Sequence, residues 1–337
     1  MIRVSYKTEK YINTDEQNND YYLKLKKHTY SKKATVMKKM LLRISKSMNI
    51  EDLFNELIKI DSFGKVFEGY LLKDIIILSA DSMPAFIERI EKRISNLNPF
   101  SKKLFYIRLS VLFDYQAKFQ SDTITPFFQD AFIFRTCYYC NRAYITDIEM
   151  KENEYKSTYQ LDHYYEKSFY PYLALSFYNF IPCCSTCNST VKNTMIKKKE
   201  DGCFTKKCIA PNHSSFNFDE KVKFETFNEF EPKDFTEIDL RLIEKDGEEY
   251  EEYIKLFKLN ERYESHKDIV FEMIQRRKDF PDEKIVDISD MLSISTEKIK
   301  QALFGPELYD DLGHSPLSKL TKDISRDLGL LKEIKAK

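Results

Sequence analysis

Two short cysteine pairs are the residues of this chain whose type and spacing point most directly to chemistry. Two residues separate the cysteines of each pair, which are Cys137 and Cys140, then Cys184 and Cys187. Such a spacer lets a tight turn aim both thiolates at one ion, and two pairs complete a tetrahedral Zn²⁺ site. Four protein ligands leave no open position, so we expect a structural zinc. Such an ion can contribute on the order of 10 kcal/mol to the folding of a small module.

Residues between the two pairs suit a second site. Asp162 and His163 end a segment, 155–163, that can form a strand, and Asn188 directly follows the last cysteine, where a helix can begin. Zinc at the bases of the strand and the helix would bring these ends together. Carboxylate and amide oxygens suit magnesium or a similar hard cation. An imidazole with an ordinary pKa of about 6.5 suits a general base near neutral pH.

This order of residues resembles the zinc-containing HNH endonucleases of the ββα-metal class. The resemblance covers residues 137–193 and is carried by both cysteine pairs and by Leu161, Asp162, His163, Asn179, Asn188 and Lys192. It implies that His163 is the general base and that Asp162 and Asn188 hold the catalytic metal. It also implies that Asn179 ties the intervening loop and steadies His163. The family name has histidine where this chain has Asn188, but asparagine is a common form there.

The activity implied is metal-dependent hydrolysis of phosphodiester bonds in nucleic acid, with DNA favoured and RNA possible. His163 would take a proton from water, while Mg²⁺ or Mn²⁺ on Asp162 and Asn188 would neutralise phosphoryl charge and stabilise the leaving 3′ oxygen. Lys192, one turn after Asn188, would be placed to contact a phosphate, although an ordinary solvated lysine fits the pattern equally well. The alternative function is a catalytically inactive, zinc-stabilised module that binds nucleic acid or protein.

Another class of zinc enzyme, the nucleobase deaminases, is not favoured by the spacing. Their motifs are H-x-E and P-C-x2-C. In this chain His163 and Glu166 form H-x-x-E, and Cys183 and Cys187 form P-C-x3-C, so each spacing misses by one residue.

The remaining cysteines define no further site. Cys183 adjoins Cys184 and is either a buried bystander or a ligand, and the spacing of Cys203, Cys208 and His213 belongs to no common metal site. The N-terminus has no signal pattern, so the cytoplasm is the default compartment, where cysteines are more often metal ligands than disulfides. The uncharged segment 168–191 contains prolines, asparagines and cysteines, so we expect no membrane helix.

The rest of the chain must position these residues, and its pattern is mainly helical. The sequence predicts an N-terminal helical domain at 1–125, an inserted ββα-metal zinc module at 126–200, and a mixed, then helical region at 201–337. The expected fold is therefore mainly α with an inserted HNH module, and α+β overall. Segment 170–182 is aromatic and apolar, so we expect a buried loop packed on the helical domain.

Local signals set the expected elements more closely. Asn49 is a candidate helix cap, Pro84 fits a first helical turn, and Ser101 is a candidate start for another helix. One apolar helical face is formed by Met37, Met40, Leu41, Ile44 and Met48. After residue 200 we expect strands at 221–227 and 238–244, a long or broken helix at 251–277, a helix-turn-helix pattern at 285–304 and a closing helix at 316–331.

Charge bears on the partners. A nuclease that grips the nucleic acid backbone usually has a basic excess, whereas this chain has 54 basic and 54 acidic residues. The distribution is uneven, because segment 21–50 holds nine basic residues and no acidic one. That basic stretch either lies on phosphates or forms a solvated helix face.

A narrower resemblance concerns three segments. Leu161-Asp162-His163, segment 170–182 and Pro316-Leu317-Ser318-Lys319-Leu320 resemble the HNH component of Septu-type anti-phage systems. That resemblance implies a function in anti-phage defence and an ATPase partner that holds or licenses the nuclease. Such a partner would bring the nucleic acid, which fits a chain without net charge.

Overall fold

The computed structural model describes most of the chain. The described residues are 1–4, 20–27, 29–30, 48–114, 119–120, 124–131, 135–151, 154–197, 208–228, 230–245, 247–305, 308–309 and 311–331. Within them the protein is mainly helical, and its strands form small antiparallel sheets of two strands each. The predicted mainly α, α+β class is confirmed at this level. No helix of the described residues is long and apolar enough to cross a bilayer. The apolar face predicted at 37–48, apart from Met48, and most of the basic stretch lie outside these ranges.

The N-terminal region is a group of helices packed around aromatic side chains. Its elements are α1 (Asp20–Lys26), β1 (Thr29–Tyr30), β2 (Met48–Asn49), α2 (Ile50–Ile58), α3 (Asp61–Phe67), α4 (Leu72–Ile76), α5 (Met83–Ser95), α6 (Pro99–Leu112) and α7 (Thr125–Ala131). The fully buried rings of Phe54, Phe63, Phe67 and Phe105 have neighbouring centroids 5.0 to 5.9 Å apart. Such tilted aromatic pairs stabilise a core beyond the area they bury.

Two of the three predicted helix starts are confirmed, and the third lies two residues earlier than predicted. The Asn49 side chain accepts a hydrogen bond from the backbone N–H of Asp52 at 2.9 Å, so the predicted cap of α2 is confirmed. Pro84 lies in the first turn of α5, as predicted. Helix α6 begins at Pro99 rather than Ser101, because Asn98 accepts the N–H of Ser101 at 2.9 Å and thereby caps the helix earlier.

The middle region begins with the turn that holds Cys137 and Cys140 and continues into two hairpins, with Cys184 and Cys187 directly after the second one. Its elements are β3 (Asp147–Lys151), β4 (Glu154–Ser157), β5 (Gln160–His163), β6 (Phe180–Cys183), a π-helical turn (Thr186–Lys192) and α8 (Asn193–Lys197). The single strand predicted at 155–163 is wrong, because the chain changes partner near Thr158. Strand β4 pairs with β3, whereas β5 pairs with β6. Between β4 and β5, the backbone N–H and the hydroxyl of Thr158 both donate to the Thr146 carbonyl.

The loop between β5 and β6 is buried against the helical region. The Tyr172 hydroxyl donates to Glu91 Oε1 of α5 at 2.9 Å, and the Ser176 hydroxyl donates to the Ile75 carbonyl of α4 at 2.7 Å. From α1, the Tyr21 hydroxyl donates to the carbonyl of Leu175 at 2.9 Å. The predicted packing of segment 170–182 on the helical domain is therefore confirmed.

The C-terminal region contains one hairpin and a series of helices. Its elements are α9 (Phe218–Lys221), β7 (Val222–Thr226), β8 (Leu240–Glu244), α10 (Glu251–Leu256), α11 (Leu259–Tyr263), α12 (Lys267–Asp279), α13 (Asp282–Leu292), α14 (Thr296–Phe304) and α15 (Ser318–Asp327). The predicted strands and closing helix are confirmed in place. The helix predicted at 251–277 is broken, because Lys258 adopts a left-handed φ of 50°. Helices α13 and α14 form the predicted helical hairpin.

One apolar core runs through all three predicted regions. It includes buried residues from Met1 to Ile324, among them side chains of the helical region, the cysteine pairs and β7. A second, smaller cluster joins α13 and α14 to the end of the chain through Ile285, Ile299, Phe304, Leu308 and Leu330. The regions at 1–125, 126–200 and 201–337 are therefore packed on one another.

Candidate functional site

The four cysteine sulfurs converge on one buried point. Cys137 and Cys140 lie in a turn closed by the hydrogen bond from Asn141 N–H to the Cys137 carbonyl at 2.8 Å. Cys184 directly follows β6, and Cys187 lies in the helical turn after it. All four sulfurs lie within 4.8 Å of one another. The backbone N–H of Cys184 donates to the Cys137 sulfur at 3.3 Å, so the two pairs meet where β6 ends and the helical turn begins.

The geometry and the donor chemistry fit a structural zinc. The Cys137 and Cys187 sulfurs are 3.8 Å apart, and those of Cys140 and Cys184 are 3.9 Å apart. A tetrahedron with Zn–S bonds of about 2.3 Å has sulfurs about 3.8 Å apart. Burial raises the pKa of Cys137, while hydrogen bonds from neighbouring thiols lower the pKa of Cys184. A divalent cation would stabilise all of them as thiolates, so the cluster can hold zinc.

Helix α11 contributes two contacts to the cysteine cluster that the sequence did not reveal. Arg262 Nη1 lies 3.2 Å from the Cys187 sulfur, and the Tyr263 hydroxyl donates to the Cys140 carbonyl at 2.7 Å. A zinc ion with four thiolates carries net negative charge, so the guanidinium beside it is favourable. Helix α11 is far from the cysteines in the chain, so no local sequence pattern predicts its contact with them.

Segment 316–320 docks beside the first cysteine pair. Asn141 is fully buried with a left-handed φ of 51°. Its side-chain oxygen accepts the N–H of Lys319 at 3.0 Å and the hydroxyl of Ser318 at 3.1 Å, and its carbonyl accepts the N–H of Leu317 at 2.6 Å. Asn141 therefore accepts hydrogen bonds from residues at the start of α15, where a helix leaves its first N–H groups without intrahelical partners. These bonds connect α15 to the turn that holds the first cysteine pair.

The other cysteines lie outside the four-cysteine cluster. Cys183 is buried, and its sulfur lies 3.7 Å from the carbonyl of Gln160. Cys208 is buried as well, and Cys203 is outside the described residues. His213 Nδ1 lies 2.8 Å from the hydroxyl of Ser215. Among the described residues, the four-cysteine cluster is the only group of three or more His, Cys, Asp or Glu side chains arranged for a metal ion.

Asp162 is buried and fully engaged at one oxygen. Its Oδ2 accepts a hydrogen bond from the Tyr139 hydroxyl at 2.6 Å and one from Lys192 Nζ at 2.6 Å. Tyr139 lies between the first two cysteines, so the zinc turn and the strand end are directly connected. The aspartate is 5% exposed and Lys192 is 1% exposed.

Lys192 lies elsewhere than either sequence prediction placed it. Its ammonium also donates to the carbonyls of His163 at 2.7 Å and Tyr164 at 3.1 Å, and it lies 3.6 Å from Glu166 Oε1. It is therefore neither a solvated lysine nor a surface contact for phosphate in this arrangement. The helical turn after β6 packs close to β5, so the Lys192 side chain is directed inward at Asp162.

His163 is buried at the end of β5. Its Nε2 lies 3.0 Å from the Ala174 carbonyl, and its ring centroid lies 4.9 Å from that of Phe180. The residue is 9% exposed, and burial lowers the pKa of His163 to about 3, so the ring is neutral at pH 7. The ordinary pKa expected from the sequence is wrong for this environment. If Nε2 donates to the carbonyl, Nδ1 carries the lone pair.

Asn179 holds the loop that follows His163. Its side-chain oxygen accepts the N–H of Tyr165 at 2.8 Å. Its amide donates to the carbonyls of Tyr165 and Leu173, each at 3.0 Å. Leu173 precedes Ala174, whose carbonyl contacts His163, so Asn179 acts on the histidine through the loop backbone.

Asn188 lies beside the face of β5 that carries Asp162. Its amide donates to Gln160 Oε1 at 2.9 Å, and the hydroxyl of Ser189 donates to the same oxygen at 2.7 Å. Gln160 and Asp162 point to the same side of the strand, because alternate residues share a face. Gln160 was not singled out by sequence reasoning, although its place two residues before the aspartate is a usable signal.

The donors near Asp162 match a hard cation in type, but a positive charge already stands there. A carboxylate and an amide oxygen suit Mg²⁺ or Mn²⁺. The carboxylate, however, is paired with the Lys192 ammonium, and a divalent ion at the same oxygen would meet like charge. The four-cysteine cluster has the geometry for zinc as it stands, whereas Asp162 can take a divalent ion at Oδ2 only after the Lys192 ammonium moves.

Comparisons with family models, curated proteins and solved structures return no match for this chain. The resemblance to HNH endonucleases therefore stays a prediction.

Proposed function

We propose that this protein is a metal-dependent endonuclease of the HNH type that hydrolyses phosphodiester bonds in nucleic acid. The observation that carries the proposal is the arrangement of β5, β6 and the helix after it around the cysteine cluster. This arrangement places Asp162 and His163 at one strand end and puts Asn188, through Gln160, beside the same strand. The two ligand positions and the base position implied by the resemblance thus belong to one compact unit.

His163 is the group proposed to take the proton from water. Its bond to the Ala174 carbonyl orients the ring and favours the tautomer with the lone pair on Nδ1. Its lowered pKa keeps the ring in the unprotonated form that a base needs. The same burial makes it a weaker base, and a phosphate brought close to the ring would raise the pKa again through its negative charge. Because the ring is 9% exposed, substrate must open the surrounding loop to reach it.

Asp162 and Asn188 are the groups proposed to hold the catalytic cation. When bound, a hard divalent cation supplies neutralisation of charge on the phosphoryl group. The Tyr139 hydroxyl fixes the Asp162 carboxylate, and Gln160 fixes the amide of Asn188. Such fixed donors reduce the reorganisation that binding of an ion requires.

The proposed substrate is DNA, with RNA as the other possibility, and the proposed partner is an ATPase of an anti-phage system. The balance of charges supports a partner, because a chain with 54 basic and 54 acidic residues has no general attraction for a polyanion. A partner that supplies or restrains the nucleic acid would remove the need for such an attraction. Both the partner and the cytoplasmic setting come from the sequence resemblance and the default compartment.

Cleavage assays test the proposal. The protein, with and without any co-purifying partner, is incubated with supercoiled plasmid or total RNA in Mg²⁺ or Mn²⁺. We expect nicked or linear products from the wild type and a loss of about 10² to 10⁴-fold in rate for His163→Ala, the usual contribution of a general base. His213→Ala is the matched control, since His213 lies outside the site. Equal cleavage by His163→Ala, with zinc content retained, contradicts the assignment.

One observation favours a second candidate function, a zinc-stabilised binding module without catalysis. The buried pair of Asp162 and Lys192 and the burial of His163 would hold such a module together without any reaction. A binding module would shift labelled nucleic acid or a partner protein in a mobility assay without metal-dependent products. Binding that survives His163→Ala, together with no cleavage under any of the conditions above, would favour it.

A further inference from the structure

The close polar contacts of the Lys192 ammonium are all to oxygen atoms, and the centroid of the Tyr164 ring lies 5.7 Å away. Nζ lies 2.6 Å from Asp162 Oδ2, 2.7 Å from the His163 carbonyl, 3.1 Å from the Tyr164 carbonyl and 3.6 Å from Glu166 Oε1. Two carboxylates and two carbonyls are also the donor types that hard metal ions take. The side chain is 1% exposed, so this contact is a part of the interior.

The backbone explains how the ammonium reaches this point. Lys192 ends the π-helical turn that begins at Thr186, and Asn188 lies four residues earlier on the same turn. Residues that far apart lie on neighbouring positions of a helix surface, so both side chains approach β5. The amide contacts Gln160 and the ammonium contacts Asp162, two residues further along the strand. One helical turn therefore brings a candidate ligand and a positive charge to the same strand face.

The charges around the ammonium define a competition. Asp162 and Glu166 are the acidic groups that contact Lys192, and Lys167 adds a second positive charge near His163. A buried carboxylate attracts one cation strongly, and two cations at one carboxylate oxygen repel each other. Ion pairing of Lys192 with Asp162 Oδ2 and binding of a divalent ion to that same oxygen are therefore mutually exclusive unless Nζ withdraws.

We propose that Lys192 is an internal cation that occupies Asp162 and must be displaced before a divalent metal binds there. The inference rests on the proposed function, since it concerns the cation of that same site, and it adds a regulatory step to it. The lysine holds the site in a metal-free, inactive state. Anything that draws the ammonium away from Asp162, such as a phosphate of bound nucleic acid, raises the affinity of the site for the metal.

Metal binding tests the competition directly. Zinc-loaded wild type, Lys192→Gln and Asp162→Asn are titrated with Mn²⁺, and free Mn²⁺ is measured by electron paramagnetic resonance. Removing one positive charge at this distance should tighten Mn²⁺ binding about tenfold or more. Asp162→Asn should abolish it. Lys223→Gln is the matched control, because Lys223 is partly buried and faces another buried carboxylate, Asp323, at 3.9 Å; it should bind Mn²⁺ as the wild type does.

The outcomes separate this inference from the proposed function. Equal affinity of the wild type and folded Lys192→Gln overturns the competition and leaves the nuclease proposal intact. No Mn²⁺ bound at Asp162 in either protein overturns the catalytic metal and, with it, the nuclease proposal. Retained zinc and an unchanged near-ultraviolet circular dichroism spectrum show that the variant is folded.

A second measurement needs no variant, in case Lys192→Gln does not fold. Reductive methylation of wild-type lysines with formaldehyde, read by mass spectrometry, reports which amines are accessible. Lys192 should be protected in metal-free buffer because it is 1% exposed, and it should be modified faster at saturating Mn²⁺, whereas Lys319, which is 0% exposed on its side chain, should stay protected in both. Protection of Lys192 while Mn²⁺ is bound overturns the proposal.

Discussion

The cysteine cluster and the polar site around Asp162 are built side by side on the same hairpin and helix, yet they differ in how their charges are satisfied. The cluster presents four sulfurs within 4.8 Å of one another, and the Cys184 N–H and the Arg262 guanidinium each donate to one of them, at 3.3 and 3.2 Å. The polar site presents a carboxylate that is already compensated by a buried ammonium. The sulfurs of the cluster can therefore bind a cation directly, whereas the Asp162 carboxylate already has the Lys192 ammonium as its counter-charge.

Spacing in sequence therefore determines ligand geometry more reliably than it determines the electrostatic state of a ligand. Each cysteine pair lies in a local turn, and the four sulfurs converge once folding brings the two turns together. The state of Asp162 depends on Tyr139 and Lys192, which reach it from different elements. A single side chain from a neighbouring helix can change a ligand into an ion-pair partner.

Cys140→Ser should have the largest effect. It removes one of four ligands, and a structural zinc can contribute on the order of 10 kcal/mol to folding. We expect loss of zinc, measured by inductively coupled plasma mass spectrometry, and loss of the cooperative melting transition. Cys183→Ala is the matched control, since that buried thiol lies outside the cluster. A full complement of zinc in Cys140→Ser would show that the ligand set is misassigned.

Lys192→Met should destabilise the fold by about 3 to 5 kcal/mol, because it leaves the buried Asp162 carboxylate without its partner. Chemical denaturation measures the change. The double variant Lys192→Met with Asp162→Asn should lose less than the sum of the two single variants, since each single change already breaks the pair. Additive losses would mean that the two residues do not stabilise each other, and the contrast with the zinc cluster would fail.

Acidification should destabilise the native state through His163. Its folded-state pKa of about 3 lies below the ordinary value of 6.5, so the unfolded state binds the proton more readily between these values. Stability is therefore complete above about pH 6.5 and falls as the pH approaches 3, by about 2 kcal/mol at pH 5 relative to pH 7 from this residue alone. His163→Gln should reduce the pH dependence of unfolding by that amount. An unchanged dependence would place the imidazole in water.

Arg262→Met should have the smallest effect, on the order of 1 kcal/mol of stability, because only one charge-assisted contact to a thiolate is lost. Zinc should be removed faster by a chelator such as 4-(2-pyridylazo)resorcinol, whereas Arg262→Lys should recover part of the wild-type rate by restoring the charge. Equal release rates for all three proteins would show that the zinc centre is complete without its basic neighbour.

Much of the secondary structure followed from local patterns. Alternation predicted β7 and β8, apolar spacing predicted the helical hairpin of α13 and α14, and Asn49 predicted the start of α2. These signals succeed because caps, turns and amphipathic faces act between residues close in the chain. The single strand predicted at 155–163 is wrong because residue propensities do not show a change of pairing partner. The helix predicted as long or broken at 251–277 is broken, but its interruption at Lys258 has no glycine or proline that would have located it.

The candidate zinc ligands could be identified from the sequence, since two pairs with the spacing of Cys137 and Cys140 each form a turn that directs both sulfurs to one point. The burial of Lys192 against Asp162, the pKa of about 3 for His163 and the contact of Arg262 with Cys187 result from the packing of distant segments. The two kinds of property differ in how far apart in the chain the interacting residues lie. Turn geometry is a property of a few bonded residues, whereas desolvation and charge pairing depend on every group that folding brings within a few ångströms.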